Sequence, residues 1–331
     1  MKKIAFFDTK PYDVEWFDRY KKQYDFEIQY FEAKLGVSTS VMARGCDAVV
    51  AFVNDEMNAE TIDSLADCGV TAIGLRCAGF NNVDLKHAEG KLKVYRVPAY
   101  SPNAVAEHAM ALLLCINRKV HRAYNRVREY NFSLKGLTGF DLKGKTVGVV
   151  GTGKIGKAFV DICKGFGMKI LAYDPYPSDL PGVDYVELEE LLRGSHIIAL
   201  HCPLTLQNYH MINKNTLRIM KDGVYIINTS RGALIDAEAL LDAIKTEKVA
   251  GAGLDVYEEE SDFFFEDVSD TVVNDDVLKL LLSTPNILIT SHQAFLTEEA
   301  LQAIAEITLQ NLKNHFDGNK SENEVLFKPK E

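Results

Sequence analysis

An α/β fold built from two doubly wound parallel-sheet domains is predicted by three features of the sequence. The chain has 331 residues, enough for two domains of ordinary size. Short apolar runs rich in β-branched and aromatic residues recur along it, each separated from the next by a segment of helix length. Strands spaced in this way pair in parallel, because parallel neighbours need a crossover connection. The runs also fall into two series, divided near residue 101.

The first series comprises Ile4–Phe7, Phe26–Phe31, Ala48–Val53, Thr71–Leu75 and Leu92–Val97. Ser101-Pro102-Asn103 then reads as a helix start, with Ser as cap and Pro at the first helical position, followed by the apolar run Ala104–Ile116. The domain boundary is expected there. From Asn117 to Lys145 the chain is polar, with Phe132, Leu134, Leu137 and Phe140 at irregular spacing; these side chains either dock on a partner subunit or pack on their own domain. The second series is Val147–Val150, Lys169–Tyr173, Ile197–Leu200, Val224–Ile227, Ala250–Leu254 and Ile287–Thr290, six strands that suit a complete dinucleotide-binding sheet. The segment Glu258–Asp276 reads as a solvated acidic loop anchored by Phe263-Phe264-Phe265. A final apolar helix pattern, Glu298–Phe316, returns to the first domain and makes it discontinuous. The expected division is 1–100 plus 298–331 for one domain and 101–297 for the other.

Composition narrows the function classes. Hydrophobic residues at 47% and charged residues at 25% describe a chain able to bury a large core. With 47 acidic against 37 basic residues the net charge is −10, which gives no footprint for a phosphate backbone and argues against nucleic acid. The six cysteines, Cys46, Cys68, Cys77, Cys115, Cys163 and Cys202, form no C-x-x-C pair or metal-like set, and read as reduced thiols of a cytoplasmic protein. The apolar run at the N-terminus is too short for a signal peptide, and no stretch approaches the length of a membrane span. His196 and His201 flank a strand, and no third ligand joins them or His210 at a suitable spacing, so no metal is expected.

Gly151-Thr152-Gly153-Lys154-Ile155-Gly156 follows a strand and opens a helix expected over Lys157–Phe166. In that context Gly151 allows a tight turn, Gly153 lets the backbone approach a pyrophosphate, and Gly156 lets helix and strand pack closely. Asp174 ends the next strand, placed to accept from an adenosine ribose and to repel the extra phosphate of NADP, so NAD is the expected cofactor. Ligands of open α/β sheets bind beyond the carboxyl ends of the strands. Arg231 follows Val224–Ile227, where a guanidinium can hold a carboxylate by two parallel hydrogen bonds. Asp255 and Glu260 follow the next strand, and His292 follows the sixth. An imidazole that carries a proton near neutral pH needs a carboxylate beside it.

The strings Arg76–Asp84, Val97–Pro102, Gly151–Gly156, His201–Thr205, Asn228–Ala233, Leu254–Tyr257 and His292–Thr297 resemble the D-isomer-specific 2-hydroxyacid dehydrogenases over nearly the whole chain. Cys77–Asn82, Gly136–Phe140 and His292–Thr297 are most similar to the fermentative, NAD-dependent D-lactate dehydrogenases within that family. The resemblance implies a Rossmann NAD-binding domain inserted in a flavodoxin-like substrate domain. It implies that Arg231 binds the carboxylate of pyruvate, that Glu260 pairs with His292, and that His292 protonates the carbonyl oxygen. Ala78 and Gly79 would help to hold the carboxylate with Tyr100 close by, and Phe52 and Phe295 would touch the substrate side chain, leaving room for little more than a methyl group. On the cofactor side the family pattern matches Lys154, Ile155, Asp174, Cys202, Pro203, Asn208, Thr229 and Asp255, with Ser230 beside them. A homodimer or homotetramer is expected. A dehydrogenase for larger 2-oxo acids is the runner-up, followed by an NADH-sensing corepressor, which shares the fold and the Arg, Glu and His constellation but carries disordered tails that this chain lacks.

Overall fold

The computed structural model describes residues 1–260 and 263–327, and the chain divides into two compact units, Met1–Ser101 with Leu296–Glu331, and Pro102–Phe295. Ser261 and Asp262 of the acidic segment, and residues 328–331 of the piece expected to complete the first domain, lie outside the described residues.

The first unit is built on five strands, β1 (Lys2–Phe6), β2 (Phe26–Tyr30), β3 (Ala48–Ala51), β4 (Ala72–Leu75) and β5 (Lys93–Tyr95). All pair in parallel in the order β2-β1-β3-β4-β5, the flavodoxin-like order. β3 and β4 are buried at every residue because helices cover both faces, which explains why their sequences are continuously apolar and do not alternate. The helix Glu298–Phe316 lies in this unit and buries Ile304, Ala305, Thr308, Leu309 and Leu312. Leu312 and Thr308 sit close enough to Gly74 of β4 that an added Cβ would meet them at 3.4 Å.

The second unit holds β6 (Thr146–Val150), β7 (Lys169–Tyr173), β8 (Asp184–Tyr185), β9 (Ile197–Leu200), β10 (Val224–Asn228), β11 (Val249–Leu254) and β12 (Ile287–Ile289). Their order is β12-β11-β10-β9-β6-β7-β8, all parallel, a Rossmann sheet with one strand added at its far edge. This corrects the count of six strands. β8 has only two residues, one acidic and one aromatic, and presents no apolar run to read. The helix after the glycine motif also starts earlier than expected: it spans Lys154–Gly165 with Gly153 as its cap, so Gly156 lies in its first turn.

The stretch after Asn117 is not uniformly irregular, for Val120–Arg128 is helical after a left-handed Lys119. Val120, Tyr124, Val127, Tyr130, Phe132 and Leu134 are exposed along this arm, whereas Phe140 packs back on Tyr225 at 5.2 Å between ring centres. In the acidic segment Phe264 is buried in the core of the unit, and Phe263 and Phe265 pack against that core. No helix among the described residues is long and apolar enough to cross a membrane.

Packing against side chains is tight at Gly148 in β6, where an added Cβ would lie 2.4 Å from both Leu191 Cδ2 and Ser195 Oγ. Both neighbours are fully buried, and Ser195 Oγ is already tied to Leu191 O, so neither can withdraw cheaply. Gly148→Ala is therefore expected to cost about 1–3 kcal/mol through overpacking, read as a lowered thermal unfolding midpoint. An unchanged midpoint would contradict this contact.

Candidate active site

Three neighbouring strands of the second unit end level. Asn228 of β10 registers with Leu254 of β11, and Leu254 with Ile289 of β12. Arg231, Asp255, Glu260 and His292 therefore leave the same edge of the sheet from successive strands.

The imidazole of His292 is held by Glu260, with Nδ1 2.7 Å from Oε1, while the other carboxylate oxygen accepts from the Tyr257 amide at 3.0 Å. The two side chains are 21% and 20% exposed, so the pair is sheltered without being sealed. The Phe265 ring lies 5.9 Å from the imidazole. His292 adopts a left-handed backbone, φ 51°, a conformation that costs a non-glycine residue about 1–2 kcal/mol and persists only where the surroundings impose it. Here they do: its amide donates to Asp255 O at 2.7 Å and to Thr290 O at 3.1 Å.

Asp255 itself is fully buried. Its Oδ1 accepts from Thr290 Oγ1 at 2.5 Å and from Gln293 N at 2.9 Å, and its Oδ2 accepts from Ala294 N at 2.8 Å. The carboxylate thus braces both sides of His292. Arg231 precedes a short turn, Gly232–Leu234, and its guanidinium donates to Ser230 O at 2.7 Å. Asn228 locks the bend, accepting from Ser230 N and donating to Arg231 O. At Gly232 an added Cβ would overlap the Tyr257 carbonyl at 2.0–2.2 Å and the Glu258 amide at 2.4 Å, so only glycine lets the Arg231 loop lie against the loop that leads to Glu260.

The glycine motif has the features of a nucleotide site. Gly151 has φ +93°, and a Cβ there would strike the backbone of His201 and Cys202. A Cβ on Gly156 would lie 2.0 Å from Gly151 O. At Gly153 nothing stands within 4 Å of an added Cβ, which leaves the start of the Lys154–Gly165 helix, with Ile155 in its first turn, open to a phosphate. Asp174 accepts from Thr152 N at 2.7 Å, Thr152 Oγ1 at 3.0 Å and Tyr176 N at 2.9 Å. Partial burial alone would raise its pKa, but these hydrogen bonds outweigh it and hold the carboxyl below the usual range. Thr152 and Tyr185, which donates to Thr152 Oγ1, escaped the sequence reading because one fills a free position of the motif and the other lies in the two-residue strand β8.

After β9, Asn208 donates to Pro203 O at 2.7 Å and accepts from Thr205 N, closing the Cys202–Asn208 turn. Ser230 Oγ donates to Cys202 O and joins that turn to the Arg231 loop. Burial pushes the Cys202 thiol up to about 11, so it is not a thiolate nucleophile. Thr229 is buried, with no hydrogen-bond partner for its hydroxyl among the described residues. Phe295 is buried at the unit's end.

Within the first unit, Phe52 follows β3 and is buried, its ring 3.8 Å from the guanidinium carbon of the buried Arg76. Asp55 accepts from Phe52 N at 2.5 Å and Leu35 N at 2.6 Å, and burial, opposed by these bonds, raises its carboxyl to about 6. Arg96 donates to Ala78 O at 3.2 Å, Cys77 Sγ to Gly79 O at 3.3 Å, and Tyr100 is half-buried.

The remaining histidines form no metal set among the described residues. The His201 ring packs against Phe159 with both nitrogens buried, and desolvation lowers its pKa to about 4, so the ring is neutral. His196 accepts from Thr146 N, and His210 pairs with Glu258 at 2.7 Å.

Comparison with known proteins identifies the family. Residues 110–294 match the family model "D-isomer specific 2-hydroxyacid dehydrogenase, NAD binding domain". D-lactate dehydrogenase of Escherichia coli is 52% identical over 328 residues, 98% of this chain and 100% of that protein. The apo structure of D-lactate dehydrogenase from Escherichia coli superposes with a TM-score of 0.91 at 49% identity, covering 98% of this chain and 100% of the other. The structure described as the pyruvate reductase of Chlamydomonas reinhardtii gives 0.93 at 42% identity, covering 98% of each chain. The family model over more than half of the chain and the full-length relatives show that this chain belongs to the D-isomer-specific 2-hydroxyacid dehydrogenase family.

Proposed function

We propose that the chain is an NAD-dependent D-lactate dehydrogenase that reduces pyruvate to D-lactate reversibly. The observation that carries this reading is the 2.7 Å contact of Glu260 with His292 Nδ1, on a strand-end edge that also bears Arg231. With Nδ1 engaged, Nε2 is the nitrogen that exchanges a proton with the substrate. Arg231 grips the substrate carboxylate and turns its carbonyl toward His292. NADH, when bound, supplies the hydride. As that charge arrives, His292 gives its proton to the carbonyl oxygen; in the reverse direction the neutral ring takes the hydroxyl proton.

Gly151, Gly153, Lys154, Ile155, Gly156, Asp174, Cys202, Pro203, Asn208, Thr229, Ser230 and Asp255 are proposed for the cofactor, and Phe52, Ala78, Gly79, Tyr100 and Phe295 for pyruvate, as the family resemblance implies. A cytoplasmic homodimer or homotetramer without nucleic-acid partners completes the reading. The exposed apolar arm from Val120 to Leu134 supports self-association.

Steady-state oxidation of NADH should be fastest with pyruvate, slower with 2-oxobutyrate and slowest with 2-oxoisocaproate, and the reverse reaction should accept D-lactate. Turnover of L-lactate alone would overturn the proposal, and a preference for 2-oxoisocaproate would favour the reading with larger substrates.

The nucleotide cradle makes a separate prediction. Asp174→Ala removes both a ribose acceptor and a charge that repels a 2′-phosphate, so the preference for NADH over NADPH should fall by about 1–3 kcal/mol, read as the ratio of kcat/KM values. A ratio that stays at the wild-type value would remove Asp174 from ribose recognition.

A further inference from the structure

The helix Pro102–Arg118 opens the second unit and contributes to its core with Ala106, Ala109, Met110, Leu112, Leu113 and Ile116. One polar side chain on it reaches the strand ends. His108 Nε2 lies 3.0 Å from Thr290 Oγ1 and 3.3 Å from Asp255 Oδ1. Thr290 Oγ1 in turn lies 2.5 Å from Asp255 Oδ1.

Counting protons sets the direction of this chain. An ionised carboxylate can only accept, so the single hydroxyl proton of Thr290 goes to Asp255. The hydroxyl oxygen must then accept from His108, which fixes a hydrogen on Nε2. The result is a one-way relay, His108 to Thr290 to Asp255, ending on a fully buried carboxylate that also accepts from Gln293 N and Ala294 N, in a residue whose backbone carbonyl accepts from the His292 amide. A buried carboxylate keeps its place only while its donors keep theirs.

We propose that His108 and Thr290 are positioning residues for proton transfer: through Asp255 they hold the left-handed backbone at His292, and so set where its ring meets the substrate. The inference rests on His292 as the acid. Among the described residues neither side chain hydrogen-bonds the glycine motif or Arg231, and both act through Asp255, whose bonds hold the segment that carries His292. Loss of the relay should slow the chemical step far more than it weakens NADH binding.

The test compares Thr290→Val, which keeps the shape and deletes the hydroxyl, with Thr290→Ser, which restores the hydroxyl, and with His108→Phe. Thr290→Val should lower kcat for pyruvate reduction about 10- to 100-fold, leave the Kd for NADH within about twofold, and enlarge the deuteride isotope effect. Thr290→Ser should recover kcat to within about threefold of wild type. His108→Phe combined with Thr290→Val should cost little more than the worse single change, because both break one chain. In a His292→Asn background, measured by single turnover, Thr290→Val should have no further effect. Equal losses in both backgrounds, or equal kcat for Val and Ser, would reduce the relay to fold support and overturn the inference. Full activity of His292→Asn would instead remove His292 as the acid, which is a failure of the proposed function and is distinct from a silent Thr290→Val.

Discussion

A buried carboxylate is the constraint from which the active edge of this protein follows. Asp255 has no exposure to solvent and stands where β11 ends. Removing such a group from water is expensive unless its oxygens are satisfied, and breaking one of its partnerships typically costs several kcal/mol. Asp255 meets that demand with two backbone amides and a hydroxyl from the segment Thr290–Ala294, which leaves the neighbouring strand. The segment therefore has one conformation available, and that conformation includes the left-handed backbone at His292. Glu260, five residues beyond Asp255 in sequence, then closes on the ring. One strand end thus supplies both the brace for the histidine and its charged partner.

Glycines extend the same logic to the remaining parts. Gly232 brings the Arg231 loop against the Tyr257–Glu258 backbone, and Gly151 brings the nucleotide turn against His201 and Cys202. Ser230 Oγ, bonded to Cys202 O, links the turn after β9 to the Arg231 loop. Parallel register places all of these turns at one edge, since the strands from β9 to β12 end level with one another. The chemistry asked of the site is modest: a carboxylate held, a carbonyl aligned, a proton given. Rigid placement supplies most of what such a step needs.

Much of this was legible in the sequence, for physical reasons that also explain the omissions. Strands such as Ile197–Leu200 and Ala72–Leu75 are buried on both faces and so read as unbroken apolar runs. β8, with Asp184 and Tyr185, has no such run, and the Val120–Arg128 helix presents its apolar residues to solvent, so neither announced itself. The position of Arg231, Glu260 and His292 was legible because ligands of this architecture bind beyond the carboxyl ends of the strands. Thr290, His108, Thr152 and Gly232 were not. Their roles arise only when distant segments meet: His108 lies on the first helix of its unit and Thr290 far along the chain, and neither has a neighbour in sequence that marks it.

The central claim is that the contact of Glu260 with Nδ1 holds the His292 ring for proton exchange with the substrate, and the kinetics of Glu260→Ala test it most directly. The substitution removes the partner of Nδ1 and leaves Arg231 and the glycine motif unchanged. With a deuteride isotope effect showing that chemistry limits the rate, the account predicts that kcat falls about 10- to 100-fold in both directions of the reaction while the Kd for NADH stays within about twofold. A kcat equal to that of wild type in both directions would contradict it.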